Sequence, residues 1–402
     1  MDNWYTSSTD TFGSGFLTFV PPPAIIIFIL EFGNYFLLCS FFYFAKKYKI
    51  INSNLFYLAL LMMLTPFLIN DFLFSWTKLP DQSKYALYTR DVRNNIFDPV
   101  FFGFLESHSK VKVASFIFGH TPLLSLESYK SIGFINRFYY VVLFLFIVKK
   151  NYLSLNTKLL AIFSPSLIVY SSVSLRDSLI LVLMVLITYL VLKRLYILTI
   201  LFGLILYFIK PQNLFLIFCM IILIKAFVGR DSYHKAFFKY LIFAMVILCI
   251  LNVDLIMETF NSIRVGLYIE QYGYYKSVTA TAAYQPLVFN YEFLKELVKA
   301  NLNFLTSPIK NPSSIFHIIL IVEAIIIYCI SASIFYKDFK IIKLRSIINI
   351  WIMVILISIS LYSLLIFNDG QITRYRFVLL YWVIFGYEIH KNIYLKEEEK
   401  KI

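Results

Sequence analysis

The chain has 402 residues, of which 60% are hydrophobic and 15% charged, with a net charge of +14 and a mean hydropathy of +0.75. Soluble domains carry roughly 25% charged and 45–50% apolar residues, so this composition excludes a cytosolic enzyme, a secreted disulfide scaffold and a disordered chain. Unbroken apolar runs also exclude a β-barrel, whose strands alternate; what remains is an all-α polytopic membrane protein forming one integral membrane domain over residues 1–402.

The N-terminal tail, residues 1–23, lacks a basic start and carries Asp2 and Asp10, so the first apolar run reads as a retained span, not a cleaved signal. A span needs about 17–25 apolar residues. The pattern predicts eleven, over residues 24–45, 54–75, 131–149, 154–173, 177–193, 195–209, 211–228, 236–256, 314–336, 346–367 and 373–394. Those at 177–193 and 195–209 are short. Segments 95–105 and 113–126 are too short to cross and read as re-entrant or interfacial. Cys39, Cys219, Cys249 and Cys329 all sit in apolar runs and read as small buried hydrophobes, and the five histidines form no ligand pattern.

Every odd span ends in a basic cluster. Lys46, Lys47 and Lys49 follow the first, Lys149 and Lys150 the third, and Lys193 and Arg194 the fifth. Lys225, Arg230 and Lys235 follow the seventh, Lys337, Lys340, Lys343 and Arg345 the ninth, and Lys391, Lys396, Lys400 and Lys401 the eleventh. Basic loops mark the cytoplasmic side, which puts the N-terminus outside and the C-terminus inside. Two long segments, 76–130 and 257–313, are then external. Within the second, Leu294, Leu297, Val298 and Leu305 recur at helical spacing, with Glu292, Lys295, Glu296 and Lys299 on the other face. This predicts an amphipathic helix over about 291–305, lying on the outer surface. The positive charge is read as loops and phosphate contacts, not nucleic-acid binding.

Several cations fall on the disfavoured side. Arg176 lies in the tiny turn 171–178, Lys210 between spans six and seven, Arg264 in the large external loop, and Arg374 and Arg376 at the start of span eleven. Spans five, seven and eleven each begin outside beside one of these cations, with Pro211 suited to a first helical position and Thr373 to a cap. Helix N-termini present free N–H groups and partial positive charge. Three such ends plus these cations, if convergent, make an anion site, and the natural anion at an outer face is the pyrophosphate of a lipid-linked sugar. The bland readings stand beside this one. Arg176 pairs with Asp177 or reaches the headgroups, Lys210 is a snorkelling anchor, and Arg374 and Arg376, about 200° apart on a regular helix, divide into one ligand contact and one structural contact. Glu31 and Glu323, inside spans, read as buried polar contacts.

Four motifs then carry a resemblance. Phe163 through Asp177, FSPSLIVYSSVSLRD, is a Pro-initiated helix ending in small residues and Arg-Asp; Ile209-Lys210-Pro211-Gln212 is a cation-Pro turn; Leu305-Thr306-Ser307-Pro308 ends in Ser-Pro; and Asp369 through Arg376 ends in Arg-Tyr-Arg. In this order they resemble the Wzy-type O-antigen or capsule repeat-unit polymerases, with Lys210 where the family has Arg. The resemblance implies an architecture like that of the GT-C membrane glycosyltransferases, in the bacterial inner membrane. It implies polymerisation of undecaprenyl-pyrophosphate-linked oligosaccharides at the outer face, with one lipid-linked glycan as donor and another as acceptor. A flippase and a chain-length regulator are the implied partners, and neither metal nor cofactor is implied.

Arg176, Asp177, Arg374 and Arg376 are the implied catalytic residues. Lys210, Arg264, Glu270, Tyr272, Tyr375 and Asp369 are the candidate substrate contacts. Asp177, Glu270 and Asp369 are candidate bases, and Tyr268, Tyr272, Tyr274 and Tyr275 a candidate sugar platform. The alternatives are an O-antigen ligase, a polyprenyl-phosphate sugar transferase using Asp81, Asp91, Asp98 or Glu106, and a polysaccharide flippase or transporter.

Overall fold

The computed structural model describes residues 24–73, 81–94, 109–126, 128–228, 232–272, 286–307, 315–366 and 369–400, and these are mostly helical, with no strand among them. In chain order the helices are α1 (Ala24–Lys47), α2 (Ser53–Met63), α3 (Asp81–Asn94), α4 (Ser109–His120), α5 (Tyr129–Lys149), α6 (Leu155–Phe163), α7 (Pro165–Ser172) and α8 (Asp177–Leu192). There follow α9 (Tyr196–Ile209), α10 (Pro211–Val228), α11 (Ser232–Leu251), α12 (Val253–Tyr272), α13 (Tyr291–Thr306), α14 (Ile315–Phe339), α15 (Arg345–Leu365) and α16 (Asp369–Glu399). After α2 the chain passes through a short turn, Thr65–Phe67, into a π-helical turn, Leu68–Leu73.

Six of these segments are long and apolar enough to cross a membrane, or up to eight if each of two bent pairs counts as one span. The chain is therefore a multi-pass membrane protein, with fewer such helices than the eleven expected. The differences have local causes. Ser164 caps and Pro165 opens a new helix inside the expected 154–173 span, leaving α6 and α7 at nine and eight residues. The α7–α8 pair is bent by 110°. The expected 236–256 span breaks at Asn252, where α11 and α12 meet at 76°. Helix α12 then occupies residues expected to be loop. α9 has 14 residues and α16 has 31, but α16 carries Arg374, Arg376, Glu388 and Lys391 and is not among the apolar six. The segment 76–130 contains two helices, α3 and α4, packed on each other; residues 95–105 lie outside the described residues.

The chain forms two compact units. The first comprises Met1–Tyr152, Ala161–Leu186 and Ile200–Pro211. At its centre stands α5, 72% buried across its span against 28% for α1. The exposed apolar side chains of α1, Ile25, Ile29 and Phe36 among them, form the face suited to lipid. Arg93, in the last turn of α3, closes α4 by donating to the carbonyls of Thr121 (3.1 Å) and Leu123 (2.5 Å).

The second unit comprises Leu153–Leu160, Ile187–Thr199 and Gln212–Ile402. Its core is the contact of α15 with α16, where Trp351 and Trp382 meet edge to face at 5.8 Å. Gly386 makes this possible, because a Cβ there would lie 2.2 Å from the Trp351 ring. Asn290 caps α13, accepting from the Phe293 N–H at 3.0 Å. Its Phe293 and Phe304 are buried, whereas Leu294, Val298 and Leu302 are exposed.

Three helices end identically. After α1, α5 and α8, residues Lys49, Asn151 and Arg194 adopt positive φ of 57°, 53° and 62°. The following N–H in each case bonds back to the last turn, as Tyr152 does to Ile147 (3.2 Å) and Leu195 to Leu190 (3.0 Å). This is the left-handed cap normally made by glycine. Two of the three turns carry the cation expected there, on a non-glycine residue. Of the cysteines, Cys39 is buried and Cys219 half-buried, but Cys249 and Cys329 are exposed among exposed apolar side chains, so the reading of all four as buried hydrophobes is corrected.

Candidate functional site

In the first unit, the segment 171–178 is not the small surface turn expected. Ser171, Ser172, Val173, Ser174, Leu175, Asp177 and Ser178 are all buried, and Arg176 alone is half-exposed. The backbone turns extended at Val173, which strands the last carbonyls of α7. Side chains from other elements take them up. Asn70 donates to Ser172 O at 2.8 Å, and Asn136 donates to Val173 O (2.8 Å) and Leu175 O (2.6 Å). The Ser174 N–H finds Gln82 Oε1 at 3.1 Å, and the Thr65 and Ser172 hydroxyls lie 2.8 Å apart. Arg137, fully buried, donates to Met62 O (2.9 Å) and Ser171 Oγ (2.6 Å), setting its charge at the carbonyl ends of α2 and α7. Gly133 lets α5 come this close: a Cβ there would lie 2.2 Å from Ser172 O.

This frame presents Arg176. Its Nη1 donates to Ile209 O at 3.2 Å, the last carbonyl of α9 and the residue before Lys210. The Arg176 side chain is thereby tied to the residue before Lys210, 34 positions on in sequence, and Lys210 is largely buried. Asp177 opens α8 as a buried acid at a positive helix end.

In the second unit, α16 begins at Asp369, so Thr373 is not a cap, and Arg374 and Arg376 are its sixth and eighth residues. Arg376 is buried. Its Nη1 donates to Leu305 O (2.8 Å) and Ser307 O (2.5 Å), with Phe304 O at 3.5 Å. The Tyr328 hydroxyl adds a bond to Leu305 O at 2.9 Å. Arg376 thus closes the C-terminal end of α13, joining the Arg-Tyr-Arg and Ser-Pro motifs. Arg374 is half-buried, and Tyr375 lies 5.1 Å from the ring of Tyr362, whose hydroxyl donates to Asn213.

Arg264 borders a cavity of about 130 Å³ with Glu296, Asn303 and Ser363. Asn261 fixes one wall by bonding both the N–H (2.7 Å) and the carbonyl (2.9 Å) of Leu287. Glu270 and Tyr272 lie on α12 and Asp369 opens α16, but their side chains are outside the described set, as are those of Tyr268 and His317. Tyr274 and Tyr275 lie outside the described residues, as do Asp98 and Glu106. Burial holds the Asp91 carboxyl on α3 above the usual carboxylate range, with Arg90 pulling the other way. Glu323 is buried and accepts from the Tyr381 hydroxyl at 3.1 Å.

A second cavity, of about 710 Å³, lies elsewhere in the first unit, lined by Lys46, Lys49, Asn52 and Lys149. No group of three or more His, Cys, Asp or Glu side chains among the described residues is placed to hold a metal ion. The residues missed from sequence are Asn70, Gln82, Asn136 and Arg137. Only Arg137 carried a signal, as an ionisable group inside a span.

Comparison of the chain with protein-family models, curated proteins and solved structures gave no match.

Proposed function

We propose that this protein polymerises undecaprenyl-pyrophosphate-linked oligosaccharide repeat units into O-antigen or capsular polysaccharide, at the outer face of the bacterial inner membrane. The observation that carries the reading is the Arg176–Ile209 bond. It seats the Arg-Asp and Lys-Pro motifs side by side, as a site for one polyanion requires. In the reaction, the acceptor hydroxyl attacks the donor's anomeric carbon. The bond to undecaprenyl pyrophosphate breaks, its electron pair leaves with the phosphate, and the acceptor hydroxyl's proton passes to a carboxylate base and from there to water or the leaving pyrophosphate. Arg176 offers a planar fork of donors to that leaving group and Lys210 a point charge. Asp177 serves to orient Arg176. Eleven crossings with the N-terminus outside, in a GT-C-like arrangement, complete the proposal; α6–α7, α8, α9, α11–α12 and α16 are taken as the five crossings beyond the apolar six. α13 then lies in the outer interface, its exposed Leu294, Val298 and Leu302 towards lipid.

The α7–α8 break favours a second reading, a transporter of lipid-linked glycan, because broken helices build transporter sites. One experiment separates the two. Purified protein in nanodiscs, supplied with lipid-linked repeat units, should release undecaprenyl pyrophosphate and form a ladder of glycan lengths. Flipping of the lipid-linked unit across liposomes without any change in glycan length would establish the transporter instead. Transfer to lipid A core without lengthening would establish a ligase.

A further inference from the structure

Three ionisable side chains outside the candidate site meet in the first unit. Lys130 Nζ lies 2.6 Å from Glu31 Oε2 and 2.7 Å from Asp71 Oδ1. Each comes from a different element: Glu31 from α1, Asp71 from the π-helical turn and Lys130 from the second position of α5. A lysine at a helix start opposes the helix dipole, which explains why carboxylates surround it. Two carboxylates on one ammonium nevertheless leave one negative charge in excess. Glu31 is 3% exposed, and its Oε1 has no hydrogen-bond partner. Among the described residues, the charged groups facing it are Lys130 from α5 and Asp71 from the π turn, with the Ser128 hydroxyl beside them. α2 brings no charged residue. Single π turns inside helices recur at functional sites.

An excess buried charge at membrane depth is removed most simply by a proton. We propose that Glu31, Asp71 and Lys130 form a proton-exchange site in which Glu31 gains and loses the proton. A proton from water enters past Asp71, whose side chain is 27% exposed, and adds to the Glu31 carboxylate. The product is a neutral carboxyl, with Lys130 left as an ammonium on Asp71 alone. The α1–α5 ion pair is then lost. One turn further on, Asn34 keeps its bonds to the 124–125 segment, at 2.8 Å to Ser125 O and 2.8 Å from the Leu124 N–H. The site stands independently of the polymerase reading.

Infrared spectroscopy of the purified protein across a pH titration tests it. The wild-type chain should show a carboxylic-acid C=O band that titrates and shifts in deuterated water. The Glu31 component, read as the wild-type minus Glu31→Gln difference, should be lost in Glu31→Gln, a neutral isostere of the protonated state. Lys130→Met should displace its midpoint by about one pH unit or more, since the neighbouring charge is gone. A Glu31→Gln protein that loses no component of the titrating C=O absorption relative to the wild type overturns the proposal. So does the absence of any titrating band in the wild type, or an unchanged midpoint in Lys130→Met. A band that follows sodium concentration at fixed pH overturns it in favour of a metal cation.

Discussion

At 171–178 the backbone leaves helical geometry, and five side chains from other elements, Thr65, Asn70, Gln82, Asn136 and Arg137, hold it in place. At the start of α16 the backbone stays helical, and one side chain, Arg376, reaches out to hold the end of α13. In the first region the arginine of the motif, Arg176, is what the frame presents, half-exposed. In the second the arginine is itself the frame, buried against carbonyls. Two cations that look alike in sequence thus do opposite work, and what separates them is whether other side chains satisfy the local backbone.

Substitutions break this contrast in graded steps. The largest effect is expected from Gly133→Ala. Its Cβ would strike the Ser172 carbonyl, a backbone atom with little room to retreat, which sets the cost at the upper end of the roughly 1–3 kcal/mol typical of overpacking. Detergent-solubilised protein should show a matching drop in thermal stability; an unchanged melting temperature would mean that α5 and α7 are not in this close contact.

Asn136→Leu comes next. It strips two buried carbonyls, Val173 and Leu175, of their donor, for a loss of about 2–3 kcal/mol. Arg376→Ala should cost about 2 kcal/mol, because the charged donor to two carbonyls of α13 and to that of its capping residue Ser307 is lost. Proteolysis should then cut first near residue 305. If Arg376→Ala is as stable as the wild type, the contrast between the two arginines fails.

The smallest effect has the opposite sign. Lys49→Gly relieves a left-handed conformation that costs a side chain about 1 kcal/mol. A modest rise in thermal stability is expected, and a fall would assign the Lys49 side chain a stabilising role of its own.

Much of the fold was legible because apolar runs of span length need no partner to be recognised. The expected spans 24–45, 131–149 and 211–228 correspond to α1, α5 and α10 within a few residues. So does the amphipathic stretch at 291–305, which corresponds to α13. Breaks were less legible. Pro165 was read as opening a helix, but not as splitting a span, and Asn252 gave no warning of the bend before α12. Helix α3 was missed because its buried residues, Tyr85, Ala86, Thr89 and Val92, are too few and too mixed to make an apolar stripe.

The candidate site divides in the same way. Charge in the wrong place pointed to Arg176, Lys210 and Arg376. The partners that separate their roles are backbone carbonyls, at Ile209 and at Leu305 and Ser307, and no residue type announces a carbonyl. Asn70, Gln82 and Asn136 were equally silent, because an amide becomes informative only when a broken helix lies beside it.

The most direct test of the account is Arg176→Ala in cells lacking the wild-type gene, with polymer length read on gels and protein abundance measured in the same membranes. The account predicts normal abundance, thermal stability within about 0.5 kcal/mol of wild type, and glycans stalled at a single repeat unit. Arg176→Lys should rescue poorly, since a point charge does not replace the planar fork. Full-length polymer from Arg176→Ala cells would contradict it and reduce this arginine to a structural contact like Arg376.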